Sequence, residues 1–139
     1  MSESEIDFIT GPAPDPARAA ITAAVGRYLE ALAAQDMDAL AAFYHPDAEL
    51  IDPIGSPPVR GAAAIRAFYL RTRPAAVTEV TRVGEITVHG DHAAFQFRVV
   101  VEDSSGATIT ALVTEIMSFD SERRIRFMLA VPEISVDRT

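Results

Sequence analysis

Hydrophobic residues change their spacing once along this chain, near Pro74. Before it they recur every three to four positions, the period of a helix; after it they alternate, the period of a strand. Ile21, Val25, Tyr28 and Leu32 follow one another at intervals of four, three and four, so they share one face of a helix expected over Pro16 to about Ala34. Asp15 is placed to cap it, and Pro16 takes the first helical position, where a missing amide proton is harmless. Asp36 then caps a second, shorter helix over Met37–Tyr44, with Leu40, Phe43 and Tyr44 on its buried side. Pro46 ends that helix by disfavouring helical backbone in the residue before it. A short strand follows over Ala48–Asp52. A third helix is expected from Gly61 to about Arg73, with Ile65, Phe68 and Tyr69 facing inward and Pro74 as its stop.

Beyond Pro74 the alternation predicts four strands: Val77–His89, His92–Glu102, Ala107–Phe119 and Ile125–Val131. Gly90-Asp91, Asp103-Ser104-Ser105-Gly106 and Asp120-Ser121-Glu122-Arg123 separate them, and links this short join antiparallel neighbours. Helices first and a meander of strands afterwards make an α+β domain. Its helices pack on one face of a curved, mainly antiparallel sheet, and the cone between them encloses an apolar pocket. Residues 1–14 are polar, acidic and proline-rich and read as a mobile arm ahead of a single domain over 15–139.

Composition narrows the functional classes. At 139 residues and 49% hydrophobic, the chain is the size of one domain and can bury a core without staples. It has no cysteine, so neither a disulfide framework nor a thiolate metal site. His45, His89 and His92 are too scattered for a zinc site. A net charge of −8 argues against nucleic acid, whose phosphates require clustered cations. No apolar stretch reaches membrane-spanning length and no leader pattern opens the chain, so the expectation is a cytoplasmic protein without membrane insertion.

Three residues carry candidate chemistry. In Glu49-Leu50-Ile51-Asp52-Pro53-Ile54-Gly55-Ser56-Pro57 a short apolar strand runs into Asp52, and a proline–glycine turn follows at once. A carboxylate on such a stiff mount suits proton abstraction from carbon, although Asp-Pro also simply starts turns. On the third long strand, Glu115 stands in the row Ile109, Ala111, Val113, Glu115, Met117, Phe119. If that row faces the pocket, desolvation raises the Glu115 pKa and leaves a neutral acid able to donate a hydrogen bond. The structural alternative is a pairing with Arg98 on the neighbouring strand, or a bulge that turns Glu115 outward. Tyr28 is either a core aromatic or a phenol aimed into the pocket. With Tyr44 and Tyr69 it makes up the chain's three tyrosines, all on inward helix faces, and clustered phenols strengthen one another as donors.

The chain resembles the bacterial steroid Δ5-3-ketoisomerases, small members of the NTF2-like superfamily that also includes SnoaL-type polyketide cyclases. The resemblance rests on Val25-Gly26-Arg27-Tyr28-Leu29-Glu30-Ala31-Leu32, on Asp36-Met37-Asp38, on Ile51-Asp52-Pro53-Ile54-Gly55-Ser56, and on Gly61-Ala62-Ala63-Ala64-Ile65-Arg66-Ala67-Phe68-Tyr69. It is ungapped from Ile21 to Tyr69 and continues more loosely through the sheet to about Ala130. The helix-and-turn pattern is common to the superfamily; the Asp-Pro-hydrophobic-Gly-Ser turn after a helical Tyr is specific to the isomerases. The resemblance implies an NTF2-like cone and an isomerase that needs no cofactor and no metal. It implies Asp52 as the proton-shuttling base and Tyr28 as the principal oxyanion-hole phenol, with Tyr44 and Tyr69 extending the hydrogen-bond network. Glu115 falls where the family has a protonated aspartic acid, one methylene shorter. Pro132 lies near the position of the family's bulky aromatic on the last strand. The implied substrate is a 3-oxo-steroid, and by analogy the protein is a homodimer. Two other readings stay open: another NTF2-like enzyme, such as a polyketide cyclase or dehydratase, and a non-catalytic module that holds a hydrophobic ligand.

Overall fold

The computed structural model describes Ser2, Glu5 and residues 16–138. The expected arm over residues 1–14 and the Asp15 cap lie, apart from Ser2 and Glu5, outside the described residues. Helix α1 spans Pro16–Ala34 and α2 spans Met37–Ala42. The Asp36 carboxylate accepts the Ala39 amide at 3.0 Å and caps α2 as expected. Helix α3 spans Ala62–Thr72 after Gly61, whose φ of 89° only glycine adopts without strain. The strands are β1 (Tyr44–Ile51), β2 (Val59–Arg60), β3 (Ala76–His89), β4 (His92–Glu102), β5 (Thr108–Phe119) and β6 (Ile125–Asp137). They form one sheet in the order β2-β1-β6-β5-β4-β3, with β1 and β6 parallel and every other pair antiparallel.

Two expectations are corrected. Tyr44 belongs to β1, not to the second helix. The Phe43 amide folds back onto Leu40 and Ala41, which closes α2, and the Phe43 carbonyl accepts the Ile125 amide at 2.8 Å. That bond commits the next residue, Tyr44, to pairing beside β6. Pro46 does not stop the strand because it sits in an irregularity of register between Tyr44 and Glu49, where no ladder bond is lost. The last strand also runs past Val131 to Asp137. Its pairing with β1 ends at Leu129, so Pro132 lies where β6 is an edge strand and one side of its backbone has no partner to satisfy.

The sheet curves around the helices without closing, and register shifts at Val77/Glu79 and Val83/Thr87 of β3 mark where it bends. The core lies between the helices and the concave face. Ile21 and Val25 of α1, Leu40 of α2, Ile65 of α3, Leu50 of β1, Met117 of β5 and Met128 of β6 are all fully buried there. The four-three-four face of α1 therefore points where its spacing says, and Tyr28 goes in with it. None of the described helices is long and apolar enough to cross a membrane.

Candidate active site

Strand register brings the two acids together. Ile51 at the end of β1 pairs with Leu129 of β6, so Asp52 arrives beside Ala130. Ala130 in turn pairs with Glu115 of β5, and Glu115 with Phe95 of β4. Asp52 and Glu115 are thus two strand spacings apart, about 10 Å between backbones, with only the small Ala130 side chain between them. The turn after Asp52 is pinned to the same place. The Ile54 amide donates to the Ala130 carbonyl at 2.8 Å, the Ser56 amide to Pro53 at 3.0 Å, and Gly55 takes a φ of 93°. The Asp52–Pro53 peptide is cis.

Tyr28 closes the site from α1. Its phenol donates to Glu115 Oε2 at 3.3 Å, a long and therefore weak hydrogen bond for two oxygens, and its ring meets Phe95 edge-on. Glu115 Oε1 is buried without a hydrogen-bond partner. Arg98 does not neutralise Glu115; it reaches Glu79 instead, from the opposite row of β4. Tyr44 and Tyr69 share a hydrogen bond at 2.8 Å, and Tyr69 lies close enough to Tyr28 for each phenol to shift the other. All five residues singled out in the sequence therefore converge. Tyr28, Asp52, Tyr69 and Glu115 line one cavity of about 390 Å³, and Tyr44 stands behind Tyr69.

The electrostatics sort these groups by protonation state. Burial, reinforced by the Asp52 charge, pushes Glu115 up to about 8 against a small opposing pull from the Tyr28 hydrogen bond. It is a neutral acid at pH 7. Burial and then the nearby Glu115 hold Tyr28 well above its ordinary range, and burial does the same for Tyr44 and Tyr69. Burial also raises Asp52. Among the described residues Asp52 has no hydrogen-bond or ion-pair partner, and no metal-ligating cluster is present. Its carboxylate looks into an apolar space walled by Leu40, Phe68, Phe97, Val99 and Val113. Such a site can offer two neutral donors to an oxygen and one uncompensated base to a C–H bond.

The walls were less visible in the sequence than the polar groups. Phe97 and Val99 follow from the alternation of β4, but Met37 and Pro132 reach the cavity only through helix packing and the extended β6. Pro132 lines the cavity opposite Val113, at the place where the resemblance has a bulky aromatic. None of the three histidines lines it: His45 accepts the Asp47 amide, His92 pairs with Asp91, and His89 is exposed at the end of β3.

Residues 25–127 match the SnoaL-like domain family. A protein named steroid Δ-isomerase from Nocardioides simplex is 39% identical over 112 residues, covering 81% of this chain and 89% of that protein. The chain belongs to the steroid Δ-isomerase family. It is an enzyme of the isomerase class on an NTF2-like scaffold. Among solved structures, that of SalBIII, an epoxide hydrolase/cyclase-like enzyme of pyran ring formation in polyether salinomycin, overlays with a TM-score of 0.77. It covers 86% of this chain and 97% of its own at 20% identity, so this steroid isomerase relative and the cyclase-like enzyme share a fold.

Proposed function

We propose that this isomerase moves the C=C bond of a 3-oxo-Δ5-steroid into conjugation with its ketone. Asp52 removes a proton from the carbon between the carbonyl and the double bond. The electrons shift toward the carbonyl oxygen and give a dienolate. Asp52, now protonated, returns the same proton two carbons further along, and the bond comes to rest at Δ4. Tyr28 and neutral Glu115 donate hydrogen bonds to the oxygen as its charge grows. A carboxylic acid kept neutral to make such a donation is the known arrangement in ketosteroid isomerases. The longer Glu side chain reaches the oxygen from its own strand, and its weak bond from Tyr28 is one that both groups can exchange for bonds to substrate.

The observation that carries the reading is the convergence of Tyr28, Asp52 and Glu115 on one apolar cavity. Burial raises both acids, and the Asp52 charge raises Glu115 further, to about 8, so Glu115 is the acid that holds its proton and Asp52 the one that serves as base. Fixed donors in a dry site act without reorganisation, and removing one costs about 10²–10³ in kcat. Apolar walls keep the shuttled proton from water. The absence of a histidine from the cavity favours this over a cyclase or dehydratase that pairs its carboxylate with one. Pairing of two copies through the outer sheet face is part of the same proposal. Ile116 and Val131, both about two-fifths exposed, stand on neighbouring rungs of that face with Leu129 beside them.

The deciding experiment is ultraviolet absorbance of the purified protein with a 3-oxo-Δ5-steroid, run beside Asp52→Asn. Growth of the conjugated-enone band with the native protein, and its loss by several orders of magnitude in the variant, is the expected result. No growth with either protein would refute the isomerase assignment to this substrate class.

A further inference from the structure

The cavity does not end where the reacting groups do. Glu115 faces Phe95 across the β4–β5 pair, and the wall continues along β4 through Phe97 and Val99 to Val101. From Phe97 to Val101, the part of β4 that lines the cavity, the strand advances about 14 Å, at ~3.4 Å per residue. Four fused rings built from carbon–carbon bonds of ~1.5 Å reach roughly 10 Å from carbonyl oxygen to farthest ring. A steroid held by Tyr28 and Glu115 therefore leaves about 4 Å of this wall, at Val101, beyond its last ring.

At that far end the charge changes sign. Arg73, the exposed C-cap of α3, lines the cavity together with Thr72 and Pro74. The Ala75 amide donates to the Glu102 carbonyl at 3.0 Å, which fixes this segment at the Val101 end of the sheet. Gln35 Nε2 donates to the Pro74 carbonyl at 2.9 Å and ties it to the end of α1. Arg60, Arg66, Arg98 and Arg124 each have a carboxylate partner, and Arg71 lies over the Phe68 ring. Arg73 pairs with no carboxylate among the described residues. Beyond it a second depression of about 680 Å³ shares Thr72, Arg73, Pro74 and Val101 with the main cavity and continues over Leu70 and Ile109. The acid on its wall, Asp103, already accepts bonds from the Ser105 amide and hydroxyl and from the Ala107 amide.

We infer that Arg73 reads the far end of the substrate, and that the substrate is a 3-oxo-Δ5-steroid retaining a side chain that ends in a carboxylate. This rests on the isomerase reading above. The apolar run between the oxyanion donors and Arg73 matches the hydrocarbon of rings and side chain. The guanidinium presents a planar fork suited to a carboxylate, and at the rim it stays hydrated until the ligand arrives. The overall charge of −8 does not prevent this, because charges beyond a Debye length of about 8 Å are screened while the Arg73 contact is direct.

The test compares kcat/KM for a 3-oxo-Δ5-steroid with a side-chain carboxylate and for its methyl ester, in the native protein and in Arg73→Met. Equilibrium binding of the corresponding conjugated-enone acid and ester is measured in parallel. The native protein should prefer acid to ester tenfold or more, mostly through KM. The ratio should fall toward one in Arg73→Met and recover partly in Arg73→Lys. A ratio near one in the native protein, or one that survives in Arg73→Met, overturns the inference while turnover leaves the isomerase reading standing. Arg73-dependent binding of the acid without turnover of any steroid has the opposite meaning: the rim site is upheld and the proposed reaction is lost.

Discussion

Replacing Glu115 by Gln should stabilise the protein, and by more as pH rises. The unfolded chain releases the Glu115 proton near 4.5, whereas the folded chain holds it to about 8. Below the first value both states are protonated and the acid exerts no penalty. Between the two the folded state binds more protons than the unfolded one, so stability falls as pH rises, and the loss is complete above the folded value. At about 1.4 kcal/mol per pH unit, one carboxyl costs roughly 3 kcal/mol at pH 7 and on the order of 5 kcal/mol in the alkaline limit. Gln keeps the shape and a donor but does not titrate. Groups titrating elsewhere do so in both proteins and cancel in the difference. Asp52 is the exception, because its charge raises Glu115, so the pair is repeated in an Asp52→Asn background, where the effect should shrink. The measurement is urea unfolding followed by far-ultraviolet circular dichroism, since the chain has no tryptophan. Whatever the offset between the two proteins at about pH 4, it should widen by about 3 kcal/mol by pH 7. A separation constant from acid to alkaline pH would mean that Glu115 ionises normally, and the neutral-donor reasoning would fail with it.

The same carboxyl sets the alkaline limb of the pH–rate profile: activity should fall as pH rises through about 8, and Glu115→Gln should remove or displace that limb. On the acid side, protonating Asp52 abolishes the base, so activity should be lost as pH falls through a value above its ordinary 3.8. Tyr28→Phe removes one oxyanion donor and should lower kcat by about 10²–10³ with little change in KM; an effect confined to KM would show that Tyr28 only packs. Ile116→Arg, on the outer sheet face, should convert a dimer to monomer in light scattering, and an unchanged mass would exclude that face as the interface.

Local physics made much of this protein legible before any fold was known. Helical spacing is a property of neighbouring residues, so the inward face of α1, with Tyr28 on it, could be read directly. The same holds for the Glu115 row of β5, since alternation assigns side chains to faces without reference to partners. Asp52 was marked by the stiff turn behind it. What no local pattern contains is which strand lies beside which. Nothing near Asp52 announces that β1 runs parallel to β6, yet that register alone sets Asp52 beside Ala130 and thus near Glu115. Tyr44 looked helical because its spacing fitted α2; the bond from Ile125 to the Phe43 carbonyl, across some eighty residues, made it a strand residue. Whether Glu115 would meet Arg98 or stand alone was likewise open until packing put them on opposite faces of the sheet. Arg73 carried no signal at all, because an exposed arginine after a helix acquires meaning only from the cavity that opens beside it. Local pattern thus marked most of the elements, their inward faces and the kinds of chemistry on offer. The tertiary structure decided the distances, and through burial it decided which acid keeps its proton, because desolvation depends on everything packed around a group and on nothing in its own stretch of chain.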